Sequence, residues 1–357
     1  MTSLDPSAAA VWDGVDHGFT IRPQPRPALA DGELLVDIEL ATICGSDLHT
    51  VNGDRPTPLP TVLGHEAVGR VVAANKASTA EGRAVTVGDR VTWTIGTSCG
   101  SCRRCRRGLP QKCLQVRKYG HEAITDGWRL NGTFGSQIHL LAGTGVVGLP
   151  DDLGADVLAP ANCATATVTS AARRIQLAAD DAVVVLGCGM LGLTAVAYAR
   201  DRGVGSVIAC DVDPSRRQLA ARFGATRTVA PSELAEAAAE DGADVIFELS
   251  GNSRSVRSAF DIIDLGGRIA LVGSVSPAPE VSFEPSGYVK NLTTVVGCHN
   301  YRVDDLAEAV AFLTRTDRRA EFAALVSAPY QLSKINTAIE AARAGGHPRV
   351  ALRPDHR

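Results

Sequence analysis

The sequence predicts an α/β protein of two domains, one β-rich and one built on a doubly wound parallel sheet. Three observations carry this. The first 150 residues are rich in Gly, Pro and short β-branched runs. From Val183 onward, apolar runs of strand length alternate with Ala-rich amphipathic segments. The first of those runs, Val183-Val-Val-Leu, leads directly into Gly187-Cys-Gly189-Met190-Leu191-Gly192, where a glycine-rich turn separates strand from helix.

In the β-rich part, Glu33–Leu40 alternates as a half-buried strand, and Gly69–Ala73 and Val85–Trp93 read the same way, with Gly88-Asp89 at a turn. The loops between them carry cysteines. In the second part the predicted strands are Val183–Leu186, Val207–Cys210, Val245–Leu249, Arg268–Val272 and Thr294–Val296, with helices over Leu191–Arg202 and Pro214–Phe223. After about Asn300 the pattern turns helical, with a last strand near Arg349–Leu352. That tail is too short for a domain of its own, so it returns to the first one. The expected layout is a catalytic domain over 1–159, a Rossmann domain over 160–299, and a return to the catalytic domain over 300–357.

Bulk properties exclude several classes. Of 357 residues, 45% are hydrophobic and 21% charged, ordinary values for a globular protein. A net charge of -3 gives no broad attraction to nucleic acid or an anionic membrane. Aromatics at 4% make base stacking an unpromising function. Met1–Ala10 is short of basic residues and lacks a signal-peptide core, and no apolar run reaches bilayer length. Nine cysteines, most of them in metal-ligand patterns, suit a reducing compartment. A cytoplasmic enzyme is expected.

The Gly187, Gly189 and Gly192 spacing fits a dinucleotide. The first glycine makes the turn, the second admits the pyrophosphate and the third packs helix on strand. Met190 and Leu191 open the helix whose N-terminus faces the phosphates. Asp211 ends the next strand nineteen residues after Gly192, where a carboxylate takes the ribose hydroxyls of NAD and repels a 2′-phosphate. Arg216 and Arg217 follow it, as a solvated helix start or as a source of tolerance for NADP. Ser250 and Gly273 close two later strands, where ligands bind in such sheets.

Cys99, Cys102, Cys105 and Cys113 place four thiols within fifteen residues. Such a cluster suits a closed, structural zinc site; free thiols or two disulfides are the alternative. Three other segments hold candidate ligands: Cys44-Gly-Ser46-Asp47-Leu-His49, Gly64-His65-Glu66, and Pro160-Ala-Asn-Cys163 through Thr167.

Together with the thiol lobe and the nucleotide fingerprint, these segments resemble the zinc-dependent medium-chain alcohol dehydrogenase family over nearly the whole chain. The resemblance implies a GroES-like catalytic domain, and a catalytic zinc on Cys44, His65 and Cys163. Glu66 corresponds to an acid able to approach the metal, and Asp47 to the carboxylate orienting the ligating histidine. The four-cysteine lobe corresponds to a second, structural zinc. Ser46 and His49 match a proton relay to solvent, with a surface loop histidine as the alternative for His49. Thr167 matches a residue beside the nicotinamide. Arg349 matches one pairing with pyrophosphate, or is a surface charge. The family implies a homodimer or homotetramer.

The substrate is expected to be a small-molecule alcohol or carbonyl. Lys118 and His121 lie in a loop that runs to Phe134 and could favour a polyhydroxy or anionic compound. A softer resemblance, in Gly120-His-Glu-Ala, Ala161–Thr167 and Cys298-His299-Asn-Tyr, is to a bacterial subgroup associated with phosphonate metabolism. It raises a hydroxyalkylphosphonate, polyol or cyclitol above ethanol. His299 is left between substrate contact and structure. Two rival readings are an NAD-binding zinc protein without turnover and a zinc-free quinone reductase.

Overall fold

Glu33–Ile43 is the organising strand of the first structural unit. In the computed structural model, which describes residues 7–275 and 279–355, this unit comprises Met1–Cys163, Tyr301–Arg315 and Phe322–Arg357, and a second comprises Ala164–Asn300 and Thr316–Glu321. The divisions therefore fall after Cys163 and Asn300 rather than after residues 159 and 299, and Thr316–Glu321 goes back to the second unit. Residues 1–6, part of the stretch read for a leader, lie outside the described residues.

In the first unit, a seven-stranded sheet runs Tyr330–Gln331, Val350–Arg353, Glu33–Ile43, Glu66–Asn75, Arg90–Thr97, Thr144–Gly148, with Gln137–Leu140 also paired to Glu33–Ile43. Leu34, Leu35, Val36 and Ile38 are buried while Glu39 is exposed. They pack with Trp93, Trp128, Phe134 and Ile138 into one core. Register positions the site. Thr42 opposes Glu66 across one antiparallel ladder, and Ile43 opposes Val350 across the other. The residues just beyond, Cys44, His65 and Arg349, therefore reach one corner of the sheet.

The expected strand at Val85–Trp93 begins only at Arg90. Asp89 explains the shift: its Oδ2 accepts the N–H of Thr86 at 2.9 Å, closing a local turn before the strand, from which Gly88 and Asp89 still bond the Val71 backbone.

In the second unit, six parallel strands run Arg227–Val229, Ser206–Cys210, Ala182–Leu186, Val245–Glu248, Arg268–Leu271, Thr294–Gly297. Numbered within the sheet this is order 3-2-1-4-5-6, the doubly wound arrangement with its switch point beside Ala182–Leu186. The edge strand Arg227–Val229 escaped the sequence reading because three residues, two of them polar, make no apolar run. Helices Met190–Asp201 and Pro214–Arg222 lie between strands; Asp213 caps the latter by accepting from Ser215 N–H at 2.8 Å. Among the described residues, no helix is long and apolar enough to cross a membrane.

Candidate metal centres and nucleotide site

At the corner set by the ladder register, Cys44 Sγ lies 3.3 Å from His65 Nε2. One ligand atom each from Cys44, His65, Glu66 and Cys163 falls within 4.8 Å of the others. Cys163 is brought there by its neighbour. The Asn162 side chain accepts from Ala67 N–H at 3.2 Å and donates to the Trp93 carbonyl at 3.1 Å, and the Tyr301 hydroxyl donates to the Asn162 carbonyl. Those bonds tie the 159–162 turn to two strands of the sheet.

The donor set fits zinc: two sulfurs and one imidazole nitrogen converge, all from buried or half-buried residues. A buried orphan pair supports this. His65 Nδ1 and Asp47 Oδ1 have no closer partner and face each other at 3.5 Å, so the carboxylate fixes which ring nitrogen remains for a metal. Asp47 Oδ2 accepts Cys44 N–H at 2.9 Å, tying the acid to the loop it serves. Glu66 is less available as a fourth ligand. Its carboxylate takes Arg349 Nε at 2.7 Å and Nη2 at 2.8 Å, and Thr42 Oγ1 at 2.6 Å.

The electrostatics suit a thiolate. A hydrogen bond from the Cys163 thiol, opposed by burial and helped by His65, holds the Cys44 thiol well below its usual range. The same hydrogen bond, with burial, pushes Cys163 up. Burial works against the His65 cation, but Cys44 and Asp47 outweigh it and raise its pKa. Burial, then the Cys44 charge, lifts Asp47 to about 6.

The lobe cysteines also cluster, their four sulfurs within 4.8 Å of one another. Backbone N–H groups point at them: Cys102 N to Cys99 Sγ, 3.3 Å; Cys105 N to Cys102 Sγ, 3.5 Å; Gln115 N to Cys113 Sγ, 3.3 Å. Such donors stabilise thiolates, and those from Leu114 and Cys105 lower Cys102 to about 6. All nine cysteines are free thiols, so the disulfide alternative is not realised.

In the second unit, Gly187 N–H bonds Cys210 O at 2.9 Å, closing the loop onto the neighbouring strand. A Cβ on Gly192 would stand 1.8 Å from Gly187 O, whereas one on Gly189 would meet nothing within 4 Å. The third glycine is thus required for packing, and the second leaves open space. Asp211 is buried and accepts Cys188 N–H at 2.7 Å and Asp213 N–H at 2.9 Å. Arg216 is over half exposed and its nearest acid is Asp213, at 3.9 Å. Ser250 Oγ donates to buried Glu248 at 2.5 Å, and Gly273 packs against Gly251. Thr167, on the helix Ala164–Arg174, is half-buried.

Residues 30–151 match the alcohol dehydrogenase GroES-like domain, and residues 191–315 match the zinc-binding dehydrogenase model. An L-threonine 3-dehydrogenase of Anaeromyxobacter dehalogenans (strain 2CP-C) is 34% identical over 269 residues, 72% of this chain and 73% of its own. The chain belongs to the zinc-dependent medium-chain alcohol dehydrogenase family. An alcohol dehydrogenase of Thermotoga maritima shares its fold at TM-score 0.90 and 28% identity, covering 98% of this chain and 99% of that one. A candidate zinc-binding dehydrogenase of Sinorhizobium meliloti 1021, solved with NADP, does so at TM-score 0.83 and 26% identity, covering 98% and 100%.

This dehydrogenase departs from the sequence reading at Arg349. Expected on pyrophosphate or on the surface, the residue is buried and bidentate to Glu66, with Nη1 on the Pro348 carbonyl at 2.9 Å. The reason is register: the antiparallel pairing of Val350 with Ile43 delivers it to the metal corner. A charged residue beside an apolar strand was the available signal, because a buried charge requires a partner. Ser46 is at the corner, its Oγ 3.2 Å from Cys44 Sγ and 3.5 Å from His65 Nε2. His49 is outside it, exposed, with Nδ1 3.1 Å from Asp54. His121 proves closer to the metal corner than the sequence implied, its ring centroid 5.1 Å from that of His65.

Proposed function

We propose that this dehydrogenase transfers a hydride from a small polar alcohol (a polyol, cyclitol or hydroxyalkylphosphonate-like compound) to NAD, giving the aldehyde or ketone. Cys44, His65 and Cys163 would hold a catalytic zinc, and Cys99, Cys102, Cys105 and Cys113 a structural one. The convergence of the Cys44, His65 and Cys163 ligand atoms carries this reading.

When bound, zinc supplies Lewis acidity that eases loss of the alcohol proton near neutral pH, and NAD supplies the hydride acceptor. The chain does the rest. Ser46 Oγ, at the corner, would take the alcohol proton while giving up its own hydroxyl proton, which solvent would carry to His49 at the surface. Asp47 holds His65 in one tautomer. Arg349 neutralises Glu66, which lowers the negative charge beside the two sulfurs. The loop Gly187–Gly192 carries the pyrophosphate, Asp211 the ribose, and Thr167, Ser250 and Gly273 line the remainder. A similar dehydrogenase is solved with NADP, and titration with both reduced nucleotides tests the preference for NAD. A homodimer or homotetramer in the cytoplasm completes the proposal.

The test combines metal analysis with NADH absorbance over a panel of alcohols, polyols and hydroxyphosphonates. Two zincs per chain and substrate-dependent NADH formation are expected. Normal turnover by Cys44→Ser would overturn the assignment.

A further inference from the structure

We propose that Arg55 and Lys118 form an anion-binding subsite beside the metal corner, so that the alcohol oxidised there carries a carboxylate or phosphonate group. The inference rests on the function proposed above and names the substrate class of that site.

Two close backbone approaches build the place. Gly64 and Gly120 both adopt positive φ, 88° and 74°. A Cβ on Gly120 would stand 2.4 Å from the Gly64 carbonyl oxygen, and one on Gly64 would stand 2.4 Å from the Phe134 ring. Only glycine lets these two turns touch. The following residues, His65 and His121, are thereby set ring to ring at 5.1 Å.

Beyond His65, the charged groups acting most strongly on His121 are Arg55 and Lys118. Arg55 and Lys118 also act on each other. All three side chains are half-buried. The acids nearby leave the two cations without a direct partner: Glu122 acts on Lys118 through its charge, but its oxygens are taken by other donors. Glu122 accepts Lys118's own backbone N–H at 2.6 Å and the Arg117 guanidinium. Asp54 faces His49, and Asp47 serves Cys44 and His65. Among the described residues, neither the Lys118 ammonium nor the Arg55 guanidinium makes a hydrogen bond or ion pair.

Two half-buried cations beside one imidazole repel each other, an arrangement that costs free energy until an anion joins them. A substrate anion would supply charge-assisted hydrogen bonds to both. A neutral alcohol gains nothing from the pair. The pair acts on His121, whose ring lies 5.1 Å from that of the candidate metal ligand His65, so a small molecule with its hydroxyl at the metal would present its anion to Arg55 and Lys118.

The test uses zinc-loaded, NAD-saturated enzyme with two matched pairs: 3-hydroxybutyrate against its methyl ester, and 2-hydroxypropylphosphonate against its dimethyl ester. In at least one pair the acid should exceed its ester in kcat/KM by about tenfold; the pair that does so tells carboxylate from phosphonate. The ratio should fall about tenfold in Lys118→Met and in Arg55→Met, and should decline with added salt in the wild type. A ratio near one in both pairs, or one unmoved by both variants, overturns the subsite. If neither acids, esters nor neutral alcohols are oxidised, the proposed function fails, and the subsite is judged by calorimetric binding of propionate and propylphosphonate. Binding weakened about tenfold by Lys118→Met supports it, and equal or absent binding in both proteins overturns it.

Discussion

Glu66 and Arg349, 283 positions apart in sequence, form a buried bidentate ion pair one residue from the candidate metal ligand His65. Burial works against the Arg349 cation, but Glu66 and the nearby thiols raise its pKa, so the charge is kept. Removing one partner leaves the other buried and uncompensated. Arg349→Met should therefore cost about 3–5 kcal/mol of stability, read by urea unfolding, and should weaken zinc retention at the corner, read by metal analysis after dialysis against a chelator. The double variant Glu66→Gln/Arg349→Met should be more stable than Arg349→Met alone. Equal stability of all three proteins would mean that the pair contributes nothing.

The two thiol clusters should respond differently to loss of one sulfur. Cys44→Ser removes a candidate ligand at the edge of an intact sheet, so the fold should survive while turnover falls by orders of magnitude. Cys102→Ser removes one of four clustered sulfurs from residues 99–113, which hold only the four-residue helix Arg103–Arg106 and the three-residue 3-10 turn Pro110–Lys112 and so would depend on a bound zinc. That variant should aggregate or unfold earlier by several degrees. Circular dichroism melts beside zinc counts check both; a Cys102→Ser protein as stable as wild type and still binding two zincs would refute the lobe assignment.

Much of this was legible because local chemistry is written in short segments. The cysteine spacing, the strand entering Gly187, and Asp211 each carry a meaning within about thirty residues. The strands Ala182–Leu186 and Val245–Glu248 were found because both of their faces are buried and the run stays apolar. What escaped depends on contacts distant in sequence. Arg349 acquires its partner only through the pairing of Val350 with Ile43. His121 reaches His65 only because Gly64 and Gly120 touch, and neither glycine announces the other. The role of Asn162 as a tie between three segments is likewise invisible in one sequence, since a buried Asn looks no different from a loop Asn.

Cofactor choice should turn on Asp211. Its carboxylate is fixed by two backbone donors, Cys188 N–H and Asp213 N–H, and if the nucleotide binds as proposed it would not swing away from a 2′-phosphate. NADH should bind more tightly than NADPH by about tenfold or more. Asp211→Asn removes the charge yet retains an acceptor for Cys188, and should narrow that gap. Fluorescence titration with both reduced nucleotides measures it. Tighter NADPH binding by the wild type would transfer the deciding role to Arg216 and Arg217.

The pH dependence of substrate choice tests Lys118 from another direction. Burial, then the Arg55 charge, holds the Lys118 ammonium below the usual lysine range, with Glu122 opposing. Lys112 adds like charge, and His121 faces the same group. The cation is the binding form. As pH rises through the depressed pKa, the ammonium is lost before an exposed lysine, at about 10.4, would release its proton. The acid-to-ester ratio in kcat/KM should therefore fall with rising pH on the alkaline side. Lys118→Arg, charged throughout, should hold the ratio flat. The sign for folding is consistent. A lysine depressed in the native state disfavours folding at pH below its folded pKa, and that penalty disappears above the unfolded value. A bound anion reverses the depression, so binding should draw a proton from solution between those two values. Calorimetry in buffers of different ionisation enthalpy reads that proton directly; zero uptake, with a ratio that does not change with pH, would take Lys118 out of substrate recognition.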